Sequence, residues 1–355
     1  MVVPVVYPDK HVLHIPDGEI WVGVRIAGTE LPARGEVIAA ALRQAGHPFS
    51  SPDPVSISDL TSVHSPELVE FLRTAWDRWQ ASTYPVDPGQ DRVVPYAFPL
   101  AAMTSGRRPR QPASVGAMTG MFAMDTMTLI GPGTWEAVED AAAAALTAAT
   151  MVADGSAVAY AAVRPPGHHA GTSFYGGACY LNNAALAARR LVDRGLGPVL
   201  VIDLDAHHGN GTQQIFYETD SVRYGSVHID PGAGYFPHWL GFADETGEGD
   251  GRGANRNLPL DPGTGDDEWL RAVADLVSFG EGARSTVVSL GVDAWKHDPE
   301  SPLQVSVEGY TRAGAVVGEM GLPTVIVQEG GYDLSALGVL VAGFLDGFER
   351  GDSAG

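Results

Sequence analysis

The sequence predicts a single α/β domain with a mostly parallel central sheet, helices covering both faces, and long loops at the functional end. Three observations predict it. Short apolar runs alternate with helical patterns along all 355 residues, with no tandem repeat. Val199–Ile202 is apolar on both faces, as a strand inside a covered parallel sheet must be. The most polar motifs, such as Asp203-Leu-Asp-Ala-His-His208, follow strand-like runs, where ligands sit in open α/β sheets.

Val2–Tyr7 reads as the first strand. Pro4, Asp9 and two histidines interrupt Met1–Ile15, which lacks a basic start and a small-residue cleavage site and so does not read as a signal peptide. After the loop Asp17–Ala33, Arg34–Ala45 has helical spacing at Val37, Ala40, Ala41 and Ala45. In the helix Ser65–Trp79, Ser65 is the cap, Pro66 takes the first helical position, and Glu67 and Glu70 suit the first turns. Ala81–Ser114 is rich in Pro, Gly, Arg and Ser without a sustained period. A stretch of that kind is a binding loop, a lid or a subunit contact. We read about 81–116 as a loop insertion within one domain spanning 1–355.

Gly133–Ala153 is an alanine-dense helix suited to close packing on the sheet, and Ala157–Val163 is a buried strand running into Arg164-Pro-Pro-Gly-His-His-Ala170. Helix Asn182–Arg194, strand Val199–Leu204 and short helix Gly211–Tyr217 follow. Ser221–Ile229 is a strand, and Asp230–Asn257 reads as a long glycine-rich loop containing Tyr235-Phe-Pro-His238. Helix Asp266–Gly280 leads to strand Ser285–Leu290, which opens into Gly291-Val-Asp-Ala294. Helix Glu308–Met320, strand Thr324–Gln328 and helix Leu337–Glu349 close the chain.

Composition narrows the function. With 43 acidic against 22 basic residues the formal charge is −21, which disfavours nucleic acid as a ligand and suits a cationic one. No apolar run of about 18 residues is free of charge or proline, so no transmembrane helix and no membrane partner are expected. The one cysteine, Cys179, excludes an intrachain disulfide and fits a reducing cytoplasm.

The groups that end the strands are His168 and His169; Asp203, Asp205, His207 and His208; Asp293; and Tyr332. Carboxylates and imidazoles leaving buried strands are costly unless they pair or bind something. Asp203, Asp205 and His207 would leave one face if strand geometry continued that far. His207 with Asp205 and Asp293 makes a three-ligand set that leaves a place for water, and zinc and ferrous iron both accept it. Such an ion polarises a carbonyl and lowers the pKa of its water to about 7, as amide hydrolysis at neutral pH requires. His168 and His169, on a Pro-Pro-Gly turn, offer a base for the water and an acid for the leaving amine. Asp203 can orient His168, and Tyr332 can donate a hydrogen bond to a developing oxyanion.

Arg164-Pro-Pro-Gly-His-His-Ala170, Cys179-Tyr-Leu-Asn-Asn183, Asp203-Leu-Asp-Ala-His-His-Gly-Asn-Gly-Thr-Gln213, Ser289-Leu-Gly-Val-Asp293 and Glu329-Gly-Gly-Tyr332, in this order, resemble the histone deacetylase superfamily. Thr74-Ala-Trp-Asp-Arg-Trp79, Pro132-Gly-Thr-Trp-Glu136 and Phe236-Pro-His-Trp-Leu-Gly241 look most like its bacterial acetylpolyamine amidohydrolases. The resemblance runs over nearly the whole chain. It implies the arginase–deacetylase fold, with zinc on Asp205, His207 and Asp293 and with His169 as general base and acid. It implies His168 as an electrostatic partner backed by Asp203, and Tyr332 as the oxyanion donor. Structural potassium or sodium is implied near Asp203, Asp205, His207 and Ser226, and again near Phe216, Thr219 and Val222. In such relatives the insertion makes a dimer contact that narrows the entrance, which implies a homodimer.

Asn210 stands where some members carry an aspartate beside the second histidine. A neutral partner favours imidazolium less, so His169 is expected to be neutral at pH 7 and to act first as base. Relatives line the acyl tunnel with one aromatic before the cysteine and another in the long loop. This chain keeps Phe236 but has Gly177-Ala178, which implies a wider channel unless another side chain fills it. Glu19 corresponds to an acidic loop residue of the acetylpolyamine amidohydrolases, whereas the region around Gly116 and Met127 lacks their other acids, although Asp125 is near. Glu19, Gly177, Ala178 and Phe236 are therefore the expected substrate contacts.

The expected reaction is removal of an acetyl or other acyl group from a primary amine, in an acetylpolyamine or related small cationic amide. Acyl-lysine in a peptide, entering a widened channel, is the second reading. A binuclear manganese ureohydrolase would need carboxylates where His208 and Ala294 stand. Gly209-Asn-Gly-Thr212 lacks the lysine of a phosphate loop and the third glycine of a dinucleotide fingerprint, and Gly171-Thr-Ser-Phe-Tyr175 fails as a serine-hydrolase elbow at its last position. A non-catalytic reader would be expected to lose Tyr332 or a metal ligand, and the chain keeps them all.

Overall fold

The computed structural model describes residues 2–107 and 109–353. Its main sheet contains β1 (Val5–Val6), β4 (Phe49–Ser50), β5 (Val158–Ala161), β6 (Val199–Asp203), β7 (Val222–Ile229), β8 (Asn255–Leu260), β9 (Ser285–Leu290) and β10 (Thr324–Gln328). The order across it is β4-β1-β5-β10-β9-β6-β7-β8, and every neighbouring pair is parallel. A separate antiparallel hairpin joins β2 (Glu19–Trp21) to β3 (Val24–Ile26). The helices are α1 (Ala33–Gln44), α2 (Ile57–Leu60), α3 (Pro66–Gln80), α4 (Ala101–Thr104), α5 (Val115–Phe122), α6 (Thr134–Ala153), α7 (Asn183–Asp193), α8 (Asn210–Phe216), α9 (Asp266–Phe279), α10 (Val307–Gly318) and α11 (Leu337–Asp352).

Strand alternation divides the interior into two cores. Val199, Val201, Val287, Val325 and Val327 face alanine-rich α6 and α7, with Ala141, Ala145, Ala148 and Leu186 against them. Leu200, Ile202, Val288 and Ile326 face the other way, onto a core shared with Ile38, Trp269, Val273 and Phe344. Both sheet faces are covered, as the predicted single α/β domain requires. Helix starts follow local chemistry: Ser65 accepts from Leu68 N ahead of Pro66, and Asn182 accepts from Ala185 N at the head of α7. Among the described residues no helix is long and apolar enough to cross a membrane.

Because the strands are parallel, their C-terminal ends share one edge. Asp203 lies in register with Ser289 on one side and Ser226 on the other. The loops after β5, β6, β7, β9 and β10 all open there.

The structure adds elements that the sequence reading leaves in loops. The β2–β3 hairpin lies inside 17–33, turning through Val22 (φ 50°) and Gly23 (φ 79°). A valine in the left-handed region gives no turn signal, since β-branched residues avoid it. β8 begins inside the loop read at 230–257. As an edge strand it tolerates exposed Arg256 and half-buried Pro259, which hide its pattern. Within 81–116 the only helical segments are α4 and the start of α5 among the described residues.

Candidate functional site

β6 ends at Asp203, so strand alternation does not place Asp205 and His207. Backbone hydrogen bonds do. Asp205 N–H donates to Asp203 Oδ1 (3.2 Å), His207 N–H to Asp205 Oδ1 (2.9 Å) and Ala206 N–H to Asp293 Oδ1 (2.8 Å). Asp293 arrives from the end of β9, and Gly330 N–H, after β10, donates to Asp205 Oδ2 (2.8 Å). A Cβ on Gly330 would sit 2.6 Å from Asp205 Oδ2 and 2.7 Å from Asp293 Oδ2, so only glycine lets the backbone come this close. Potential ligand atoms of Asp205, His207 and Asp293 all lie within 4.8 Å of one another, so the three could hold a metal ion.

This cluster calls for a positive charge at its centre. His207 Nδ1 faces Asp293 Oδ2 at 3.0 Å and Asp205 Oδ1 at 3.3 Å. Burial opposes imidazolium at His207, yet the two carboxylates outweigh it and hold its pKa well above the usual value. Burial, then the Asp205 charge, pushes the Asp293 carboxyl up to about 7. Burial also opposes ionisation of Asp205, but His168 and His207 overcome it and hold that carboxyl well down. Two buried carboxylates and an imidazole nitrogen fit a divalent cation of the zinc or ferrous type.

His168 and His169 occupy the turn after β5. Glu329 Oε2 accepts from Gly167 N–H (2.7 Å) and His168 N–H (3.1 Å), while His64 Nδ1–H donates to Gly171 O (2.9 Å). His168 Nδ1–H donates to Asp203 Oδ2 at 3.1 Å, and Tyr224 donates to the same oxygen at 2.9 Å. His169 Nδ1–H donates to Asn210 Oδ1 at 2.8 Å. The neighbours titrate in opposite directions. Burial disfavours charge on His168, but Asp205 and Asp203 raise it to about 10. Burial, then the positive charges of His168 and His207, holds His169 well below the usual range.

A cavity of about 330 Å³ opens onto His169 and His207 and is lined also by Tyr332, Phe236, Gly177, Ala178, Glu19 and Glu300. Phe236 meets the His169 ring edge-on, with centroids 4.8 Å apart. In the same lining, Gly177 (φ 58°) and Ala178 (φ 62°) are both left-handed. Their N–H groups donate to Asp125 Oδ2 (2.5 Å) and Thr128 Oγ1 (2.9 Å), and a Cβ on Gly177 would overlap the His169 ring. Met127 and Trp21 also line the cavity. Burial and the Glu300 charge push Glu19 up to about 7. The Arg34 guanidinium lies 4.8 Å from the Tyr332 ring centroid, and Asp298 Oδ2 accepts from Tyr332 N–H (2.7 Å).

Other predicted positions are placed as follows. Asp203 and Ser226 are register neighbours, with Ser226 Oγ–H donating to His228 Nδ1 at 2.7 Å. Phe216, Thr219 and Val222 line a separate cavity of about 190 Å³ together with Arg189. A second set of possible ligands, His168, Cys179 and Glu329, also lies within 4.8 Å, but Glu329 is already engaged by the 167–168 turn. The sequence reading misses Arg34, Asp298 and Glu300. The first two act through backbone groups and a ring face, which no spacing encodes, and Glu300 meets Glu19 from the far end of the chain.

A family model described as a histone deacetylase domain matches residues 29–348. The chain is 38% identical to an acetylpolyamine amidohydrolase of Mycoplana ramosa over 348 residues, covering 97% of this chain and 98% of that one. It is 38% identical to acetylpolyamine amidohydrolase 1 of Pseudomonas aeruginosa over 351 residues, with 97% and 98% covered. The crystal structure of an acetylpolyamine aminohydrolase from Burkholderia pseudomallei superposes with a TM-score of 0.92 at 36% identity, covering 99% of each chain.

Proposed function

We propose that this chain, which belongs to the histone deacetylase family, hydrolyses the amide of a small acetylated amine bearing further positive charge, such as an acetylpolyamine. One observation carries the reading: His169, His207 and Tyr332 share a single cavity with Glu19 and Glu300. The first three suit attack on a carboxamide, and the two carboxylates suit the remaining ammonium groups. Acylation removes the charge of a lysine side chain, so an acyl-lysine peptide has no equivalent use for that pair.

Asp205, His207 and Asp293 would hold the ion, which we take to be zinc, with ferrous iron the other metal such donors accept. Bound there, it would polarise the substrate carbonyl and lower the pKa of a water. His169 gives its Nδ1–H to Asn210, which leaves Nε2 as the basic atom, and the low pKa keeps that atom free to take a proton near neutral pH. His168 stays charged against Asp203 and supports the negative charge that develops beside it. Tyr332 donates its hydroxyl proton as a hydrogen bond to the substrate oxygen as that charge grows. The proton held at His169 Nε2 then passes to the leaving amine. Phe236, Gly177 and Ala178 bound the acyl channel.

Potassium or sodium near Asp203 and Ser226, and a second such ion near Phe216, Thr219 and Val222, would be structural. Val86, Tyr96, Leu100 and Met103 are exposed apolar residues within the 81–116 insertion and suit contact with a second copy in a homodimer. A cytoplasmic location fits the single cysteine.

The test is acetate release from N-acetylputrescine, N-acetylspermidine and a neutral acetyl-lysine peptide. The expected result is at least about tenfold higher kcat/KM for the acetylpolyamines, reduced in Glu19→Gln. A preference for the peptide would transfer the assignment to acyl-lysine.

A further inference from the structure

The segment between β7 and β8 carries Tyr235, Phe236 and His238 into the cavity wall, yet its middle projects outward, with Trp239 81% exposed. It is an arch fixed near its two ends. At the first, Asp230 N–H donates to Leu260 O (2.9 Å) and the Asp230 carboxylate accepts from Gly232 N–H (2.8 Å). At the second, Glu245 accepts from Gly241 N–H (3.0 Å) and Phe242 N–H (3.3 Å). Gly241 O also accepts from His228 Nε2–H (2.8 Å).

The same Glu245 carboxylate reaches α8. It accepts from Gln213 Nε2 at 2.5 Å and from Asn257 Nδ2 at 3.3 Å. Gln213 Oε1 in turn accepts from Asn255 (2.9 Å), Asn257 (2.8 Å) and His208 Nε2–H (3.0 Å). Gln213 is buried and lies one helical turn beyond Asn210, the residue that fixes the His169 tautomer. α8 has seven residues and no side-chain cap, so it does not hold its own position. A cavity of about 520 Å³ lies along it, lined by Asn210, Gln213, Leu240 and Glu245, so packing on that side does not hold it either. Its first turn is tied to the site by Gly211 N–H and Thr212 N–H, both donating to His168 O (3.1 Å each), and at Gln213 the charge-assisted bond to Glu245 joins it to the arch.

We propose that Glu245 is a positioning residue that acts in two directions. Through Gln213 it sets where α8 presents Asn210 to His169. Through Gly241 and Phe242 it sets where the arch holds Phe236 against the same ring. One carboxylate thereby couples the proton acceptor to the acyl-channel wall. The inference rests on the reaction proposed above for its kinetic consequences, but not for its structural ones.

The test uses the full-length, metal-loaded protein as wild type, Glu245→Gln and Glu245→Ala. Amide hydrogen exchange is followed in 210–217 and 231–242, with β9 and β10 as internal references. In Glu245→Ala both segments are expected to exchange at least tenfold faster with the reference strands unchanged. Acetyl-amine kcat should fall at least tenfold with a smaller change in KM, the acid limb of kcat/KM should move, and the butyryl-to-acetyl rate ratio should change. Glu245→Gln keeps one acceptor oxygen but loses the charge, and should show an intermediate change of about threefold in both segments. Faster exchange confined to 231–242, with kcat, pH limb and acyl ratio within twofold of wild type, would overturn the proposal. If Glu245→Ala does not fold, Glu245→Gln decides alone: an intermediate change in both segments supports the coupling, and no change in 210–217 overturns it. Absence of acetate release by the wild type would refute the reaction, while the exchange comparison would still decide the coupling.

Discussion

His168 and His169 are adjacent in the chain with ring centroids 4.0 Å apart, yet charge resides on only one of them. Two buried imidazolium groups at that distance would repel, and the Asp205 and Asp203 carboxylates around His168, against only the neutral Asn210 on His169, decide which keeps its proton. Asn210→Asp supplies the missing carboxylate and should raise the acid limb of kcat/KM by about one pH unit or more, measured in a pH–rate profile. An unmoved limb would remove His169 from the role of base. Tyr332→Phe should lower kcat by about 100-fold with KM little changed, as loss of an oxyanion donor does. Glu19 gives a separate pH signature. Its carboxyl is raised to about 7 by burial and then by Glu300, so it is neutral below that pH and anionic above. The kcat/KM for a cationic substrate should therefore rise as pH passes upward through about 7, and this rise should vanish in Glu19→Gln.

At the scale of elements, the α10–α11 crossing shows how closely helices approach where side chains are absent. A Cβ on Gly347 would fall on the Thr311 carbonyl oxygen, and one on Gly314 on the Phe344 carbonyl oxygen. Backbone cannot step aside as a flexible side chain can, so Gly347→Ala should cost about 3 kcal/mol. A lower urea midpoint with unchanged kcat per folded molecule is the expected outcome. That crossing was not legible in the sequence, because glycines four apart in a helical pattern also read simply as poor helix formers. The core strands were legible, since Val199–Ile202 and Val325–Val327 put apolar side chains on both faces. So was the start of α3, where Ser65 and Pro66 act locally. The hairpin carrying Glu19 was not, because its turn rests on Val22 rather than on a residue that favours positive φ. The same divide runs through the site. Asp205, His207 and Asp293 follow strands and announce themselves, whereas Arg34 and Asp298 reach Tyr332 through contacts that exist only after folding.

For the whole molecule, a formal charge of −21 attracts cations at long range. The kcat/KM for an acetylpolyamine should fall several-fold between about 20 mM and 500 mM salt, whereas that for an uncharged acetyl-amide should hold nearly constant. Equal salt dependence for both would assign the charge to solubility alone. The backbone packed behind the cavity carries a different message. Gly330 and Gly177 leave no room for a single added carbon beside Asp205, Asp293 and His169. A randomised library aimed at new acyl groups would recover only glycine at those two positions, while Trp21, Met127 and Phe236 stay open to exchange. Altered selectivity can thus be bred in at the walls of this cavity, but not from behind it.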